Sequence, residues 1–64
     1  MKVKYDKEVD VLCIKFSDEK IAESDEDKPG IIIDYSENNN VVGIEILNAS
    51  KKMPSPIKVE YEVA

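Results

Sequence analysis

Four carboxylates outside the main charge run, Asp6, Asp10, Asp34 and Glu45, are the groups in this sequence best suited to acid–base chemistry. Two of them, brought together, could divide the roles of acid and base if burial or a like-charged neighbour raised one pKa. Asp10 has the parity of Leu12, and Asp34 that of Ile32, so either can stand at the border of an apolar face. Asp6 and Asp34 form the first pair to test on that reading. The competing reading is plain: aspartates in turns and at strand ends accept hydrogen bonds from backbone N–H groups. A second candidate is the run Glu23-Ser24-Asp25-Glu26-Asp27. Counted from Asp25, it sets Asp27 and Gly30 at the third and sixth places of a calcium loop. Pro29 then occupies the fifth place, and Ser36 the twelfth, where a bidentate glutamate belongs. The run therefore reads as a solvated acidic loop or edge, and no metal or other cofactor is assigned to it. Cys13, the single cysteine, has no histidine to activate it and reads as a structural thiol. Were its face exposed, oxidation could join two chains through it.

The absent residue types narrow the field further. The 64 residues include no histidine and no arginine. That removes the neutral-pH imidazole base and ligand, and the bidentate fork that grips phosphate or guanine. Nine lysines face 14 acids, for a formal charge of -5. Residues 18–27 hold six acids and one lysine, so that one stretch carries the whole excess. An acidic chain is a poor direct partner for nucleic acid, whose affinity comes mainly from positive charge. Lys51, Lys52 and Lys58 make the local basic patch, which Lys2 and Lys4 could join. No catalytic residue is assigned. One cysteine allows no intramolecular disulfide and fits a reducing cytosol. The apolar runs, such as Ile31 to Ile33, are at most four residues, far short of a membrane span. The expectation is a cytoplasmic protein.

The elements that must position these groups are strands. Apolar residues alternate with a period of two, as in Leu12, Ile14 and Phe16 against Val11, Cys13 and Lys15. Val3 and Tyr5 begin a similar alternation, and Tyr5-Asp6-Lys7-Glu8 is polar enough to reverse the chain, so residues 2–16 read as a hairpin. Pro29-Gly30 launches Ile31 to Tyr35, and three consecutive isoleucines suit a central strand. Ser36 to Asn40, with three asparagines, forms a turn into Val41 to Leu47, where Val42, Ile44 and Ile46 share a face. Asn48 is placed to cap a short helix near residues 49–53 that Pro54 ends. Beyond it, Ile57, Val59, Tyr61 and Val63 alternate with Lys58, Glu60 and Glu62. That pattern fits an extra edge strand, or a tail paired with another copy. The predicted fold is one small domain over residues 1–64, mainly β or α+β. It is an antiparallel sheet of four or five strands with the short helix. A sheet this small needs a cover, and a second subunit would supply it, so a homodimer is expected.

Read as a whole, KVKYDKEVDVLCIKFSDEKIAES followed by DKPGIIIDYSENNNVVGIEILNASK resembles the small prokaryotic proteins grouped as Domain of Unknown Function 2283. The resemblance rests on Tyr5 and Asp6, Asp10, Leu12 and Ile14, Glu23 and Ser24, Asp34 and Tyr35, and the stretch from Gly43 to Ser50. It covers about residues 2–52 and leaves the tail from Pro54 outside. Cys13 stands where such proteins commonly place a bulkier residue. The resemblance implies no biochemical activity, and implies an accessory or antitoxin-like role beside small toxin-like proteins. The resulting expectation is an acidic protein–protein interaction module, not an enzyme. Glu23, Asp25, Glu26 and Asp27 would form its surface toward a small basic partner. The alternatives are a metal-dependent enzyme built from carboxylates and a purely structural homodimer.

Overall fold

The alternation becomes one antiparallel sheet. The structure, a computed structural model, describes residues 1–55 and 57–64. Its strands are β1 (Lys2–Asp6), β2 (Val11–Lys15), β3 (Glu23–Lys28), β4 (Ile31–Tyr35) and β5 (Val41–Leu47), followed by the helical turn α1 (Ala49–Lys52). Their order across the sheet is β1-β2-β5-β4-β3, with every neighbouring pair antiparallel. Both expected hairpins, 2–16 and 31–47, are present, and the three isoleucines lie on a strand paired on both sides.

Register sorts the side chains. Val3, Ile14, Ile44 and Ile33 stand in one cross-strand row, and Tyr5, Leu12, Ile46 and Ile31 in the next. Residues directly opposite share a face, and so do residues two apart. These two rows make one apolar face. The opposite face carries Lys2, Lys15, Gly43 and Asp34 in one row, and Lys4, Cys13, Glu45, Ile32 and Glu26 in another. Among the described residues, the buried hydrophobic side chains are Leu12, Val42 and Ala49. The isoleucines of the apolar face are only half-buried.

The turns follow their sequences. Pro29-Gly30 closes the β3–β4 hairpin with Gly30 at φ 80°, the left-handed position a type II turn gives to glycine. Asn39 takes φ 65° in the β4–β5 turn, as the asparagine run predicts. At Gly43 the backbones of β2 and β5 draw so close that a Cβ would stand 2.7 Å from the Ile14 carbonyl oxygen.

Several expectations need correction. The fifth strand is the acidic segment from Glu23, not residues 57–63. Those residues trail from α1 outside the sheet, with Val59, Tyr61 and Val63 exposed at 61, 85 and 78%. Pairing with Ile31–Tyr35 turns Glu23–Lys28 into a strand despite its polar composition, because a hairpin needs one well-patterned arm and a tight turn to place the other. Phe16 is 38% exposed because it lies just beyond the end of β2. Val41 faces Tyr35 across the sheet, on the apolar side, because the register slips there and leaves Val42 between two paired residues. Val42 is wholly buried.

Candidate functional site

Three places in the fold gather polar chemistry. The first joins the β1–β2 turn to α1. Asp10 ends that turn with φ 56°. Its Oδ1 accepts a hydrogen bond from the Tyr5 hydroxyl at 2.6 Å and another from the Ser50 N–H at 3.0 Å. Its Oδ2 accepts from the Ser50 hydroxyl at 2.7 Å, and its main-chain oxygen accepts from the Ala49 N–H at 3.0 Å. Two of the N–H groups that the first helical turn leaves without intrahelical partners are thereby satisfied from a distant part of the chain, Ser50 lying 40 positions from Asp10. Asn48, expected to cap this helix, takes a left-handed φ of 53° and makes no side-chain cap. Three donors hold the Asp10 carboxyl below its ordinary pKa, the Tyr5 bond first. The same bond raises the Tyr5 phenol. This cluster is a clip between hairpin and helix.

The second place is the polar face at the middle of the sheet. Asp34 is 5% exposed and accepts a hydrogen bond from the Ser24 hydroxyl at 2.5 Å. Glu45 lies diagonal to it, across β4 and β5. Burial raises the Glu45 carboxyl above its ordinary value, and the neighbouring Asp34 carboxyl raises it further. Gly43 sits opposite Asp34, so no side chain fills the space beside the pair. Cys13, Ile21, Asp34, Gly43 and Glu45 help to line a hollow of about 280 Å³ there. Burial, and then the Glu45 charge, raise the Cys13 thiol, which keeps it protonated and a weak nucleophile. The carboxylate pair that forms is thus Asp34 with Glu45, not Asp34 with Asp6. Asp6 accepts from the Glu8 N–H at 3.0 Å and shapes its own turn. Among the described residues, no group of three or more histidine, cysteine, aspartate or glutamate side chains is placed to hold a metal ion.

The third place is the pair of sheet edges. β3 is one edge, every one of its residues is exposed, and Glu23, Asp25, Glu26 and Asp27 all lie on it. Glu26 also accepts from the Gly30 N–H at 2.9 Å, which steadies the turn. The calcium-loop spacing read from Asp25 falls along this hairpin. β1 is the opposite edge, and Lys2 and Lys4 share its polar face with Lys15 of β2. Lys15 lies outside the basic patch read from the sequence; only cross-strand register brings it beside Lys2.

The sequence has known relatives. The model of a family described as "Protein of unknown function (DUF2283)" matches residues 2–50. The chain belongs to that family. The stretch matched by the DUF2283 model holds all five strands and the Asp10–Ser50 clip, and stops before the tail. An uncharacterized protein of Methanocaldococcus jannaschii is 45% identical over 51 residues, covering 80% of this chain and 43% of that protein. The chain therefore spans less than half the length of that relative. No solved structure matches. No helix among the described residues is long and apolar enough to cross a membrane.

Proposed function

We propose that this chain is a small acidic interaction module that presents β3 to a basic protein. The observation that supports it is the state of that strand: it lies at an edge, all of its residues are exposed, and four of its six side chains are acidic. One side of β3 pairs with β4. The other side of an edge strand offers N–H and C=O groups to any extended segment that can approach. Four carboxylates repel a second acidic edge and attract a lysine-rich one, so charge selects the partner while the backbone supplies the bonds. The accessory or antitoxin-like role implied by the family resemblance is one form such a module would take.

The test compares the full chain with a variant carrying Glu23→Gln, Asp25→Asn, Glu26→Gln and Asp27→Asn. The amide introduced at position 26 keeps an oxygen for the Gly30 N–H. Tagged versions of both are used to capture proteins from the source cells at low and raised salt. The wild type should retain a basic protein that the variant loses, and its on-rate for that protein should fall steeply with salt. Equal capture and equal salt dependence for the two chains would overturn the reading.

A second reading, self-association, is supported by the apolar face. Its isoleucines, from Ile14 through Ile31, Ile33, Ile44 and Ile46, remain half-buried over a core of few buried side chains. A second copy laid on that face would remove them from water, at about 25 cal/mol for each Å² of apolar surface buried.

A further inference from the structure

We propose that residues 57–63 add a sixth strand to the β1 edge of a second copy of this chain, antiparallel to β1, with Glu60 opposite Lys4. The inference rests on the self-association reading and names the segment that performs it.

The tail has the pattern of a strand but not the surroundings of one. Ile57, Val59, Tyr61 and Val63 alternate with Lys58, Glu60 and Glu62, yet Val59, Tyr61 and Val63 stand exposed. Lys58 and Glu60 form an ion pair with each other at 3.1 Å instead of meeting the sheet. β1 has the complementary lack. It pairs with β2 on one side and ends the sheet on the other. Val3 and Tyr5 point to the apolar face, while Lys2, Lys4 and Asp6 point to the polar one.

The charges fix one register. With Glu60 opposite Lys4, Lys58 meets Asp6 and Glu62 meets Lys2 on the polar face. Val59 then meets Tyr5, and Tyr61 meets Val3, on the apolar face. All of these pairs are favourable, and cross-strand pairs are the unit in which a sheet is stabilised. A slip of two residues one way sets Lys58 against Lys4; a slip the other way sets Glu60 against Asp6. A slip of one residue turns the apolar set to the polar face. Pairing with β3 instead would bring Glu60 and Glu62 against its four acids.

The state of the tail favours a second copy over the same one, because the tail begins beside its own β1 and does not pair with it. The residue before a proline is confined to extended backbone, and Met53, before Pro54, has φ -143° and ψ 160°. The chain bends at Met53 and again at Ser55, and the tail beyond forms no strand with its own sheet. It departs at the receiving end, because Ile57 shares a cleft with Tyr5 and Lys7. Two copies related by a two-fold axis near that cleft would exchange tails over a short distance. Five residues, 53–57, reach at most about 17 Å, and stacked sheets lie about 10 Å apart. Exchange of an identical element is a low-cost route to a closed dimer.

The test uses charge reversal in the full chain, read by sedimentation velocity over a wide range of concentration. The wild type should dimerise. K2E/K4E and E60K/E62K should each weaken the dimer about tenfold or more. An equimolar mixture of the two variants should recover a dimer containing both, because each tail then finds an edge of opposite sign. A wild type that stays monomeric, with β1 amides protected from hydrogen exchange, would place the tail on its own edge and overturn the exchange. A wild type that stays monomeric without that protection would overturn self-association as well. A dimer unmoved by either variant would overturn the tail register and leave self-association standing.

Discussion

Asp10 and Glu45 are both carboxyls held by side chains from distant parts of the chain, and they are pushed in opposite directions. Asp10 is met by three donors, two from Ser50 and one from Tyr5, which stabilise its charge. Glu45 is met by burial and by another carboxyl, which penalise its charge. The contrast shows that the supply of donors, not the residue type, decides whether an acidic group fastens a fold or strains it. In this chain the fastening lies at the helix end of the sheet and the strain lies at its centre.

The largest test of that contrast removes the space beside the strained pair. Gly43→Ala sets a methyl 2.7 Å from the Ile14 carbonyl oxygen, and the backbone of β2 or β5 must move. A loss of about 1–3 kcal/mol of stability is expected, in line with overpacking elsewhere, and urea unfolding measures it. A variant as stable as the wild type would show that the close approach is not needed. A smaller loss is expected for Asp10→Asn, which removes the charge that Tyr5 and Ser50 satisfy. The pH dependence carries the sharper prediction. A carboxyl with a lowered folded pKa contributes stability that is present above its unfolded value and lost as pH falls through the folded one. The difference between wild type and variant should therefore shrink on acidification below the ordinary aspartate range. A gap that is constant across this range would place the role of Asp10 in packing alone. The smallest effect belongs to Glu45→Gln, and it has the opposite sign. A raised folded pKa means that the folded state keeps its proton while the unfolded state loses it. Wild-type stability then falls as pH climbs from the ordinary glutamate range through the raised value, and stays lower above it. The variant should be more stable than the wild type at neutral pH and lose that advantage at acid pH. Thermal melts at several pH values would show it, and a destabilised variant at neutral pH would invert the picture of Glu45 as strained.

Short-range signals in the sequence located most of the sheet. Pro29-Gly30, the asparagine run before Val41 and the alternation around Leu12 each act within a few residues, and each forms as read. The acidic strand β3 was hidden because its own residues favour loop; the partner Ile31–Tyr35 makes it a strand. The helix cap was hidden for a similar reason. Asn48 has the right chemistry next to α1, but Asp10 reaches the same N–H groups through the tertiary fold. The carboxylate pair was legible as a set of candidates and not as a pair, since only the β4–β5 register brings Asp34 diagonal to Glu45. The acidic run at residues 23–27 was legible as charge and as a loop or an edge; only its pairing with Ile31–Tyr35 decides for the edge.

The placement of charge at the two edges has a consequence of its own. Lys2 and Lys4 stand on β1, and four acids stand on β3, with three strands between them. The two groups are thus separated by about 19 Å, four strand spacings. That separation makes the molecule a dipole directed along the strand order. In the field of a basic surface it feels a torque as well as an attraction. It turns its acidic edge forward before any contact is made, so a larger share of collisions with such a surface arrive with that edge leading. The torque weakens as salt shortens the range of the field.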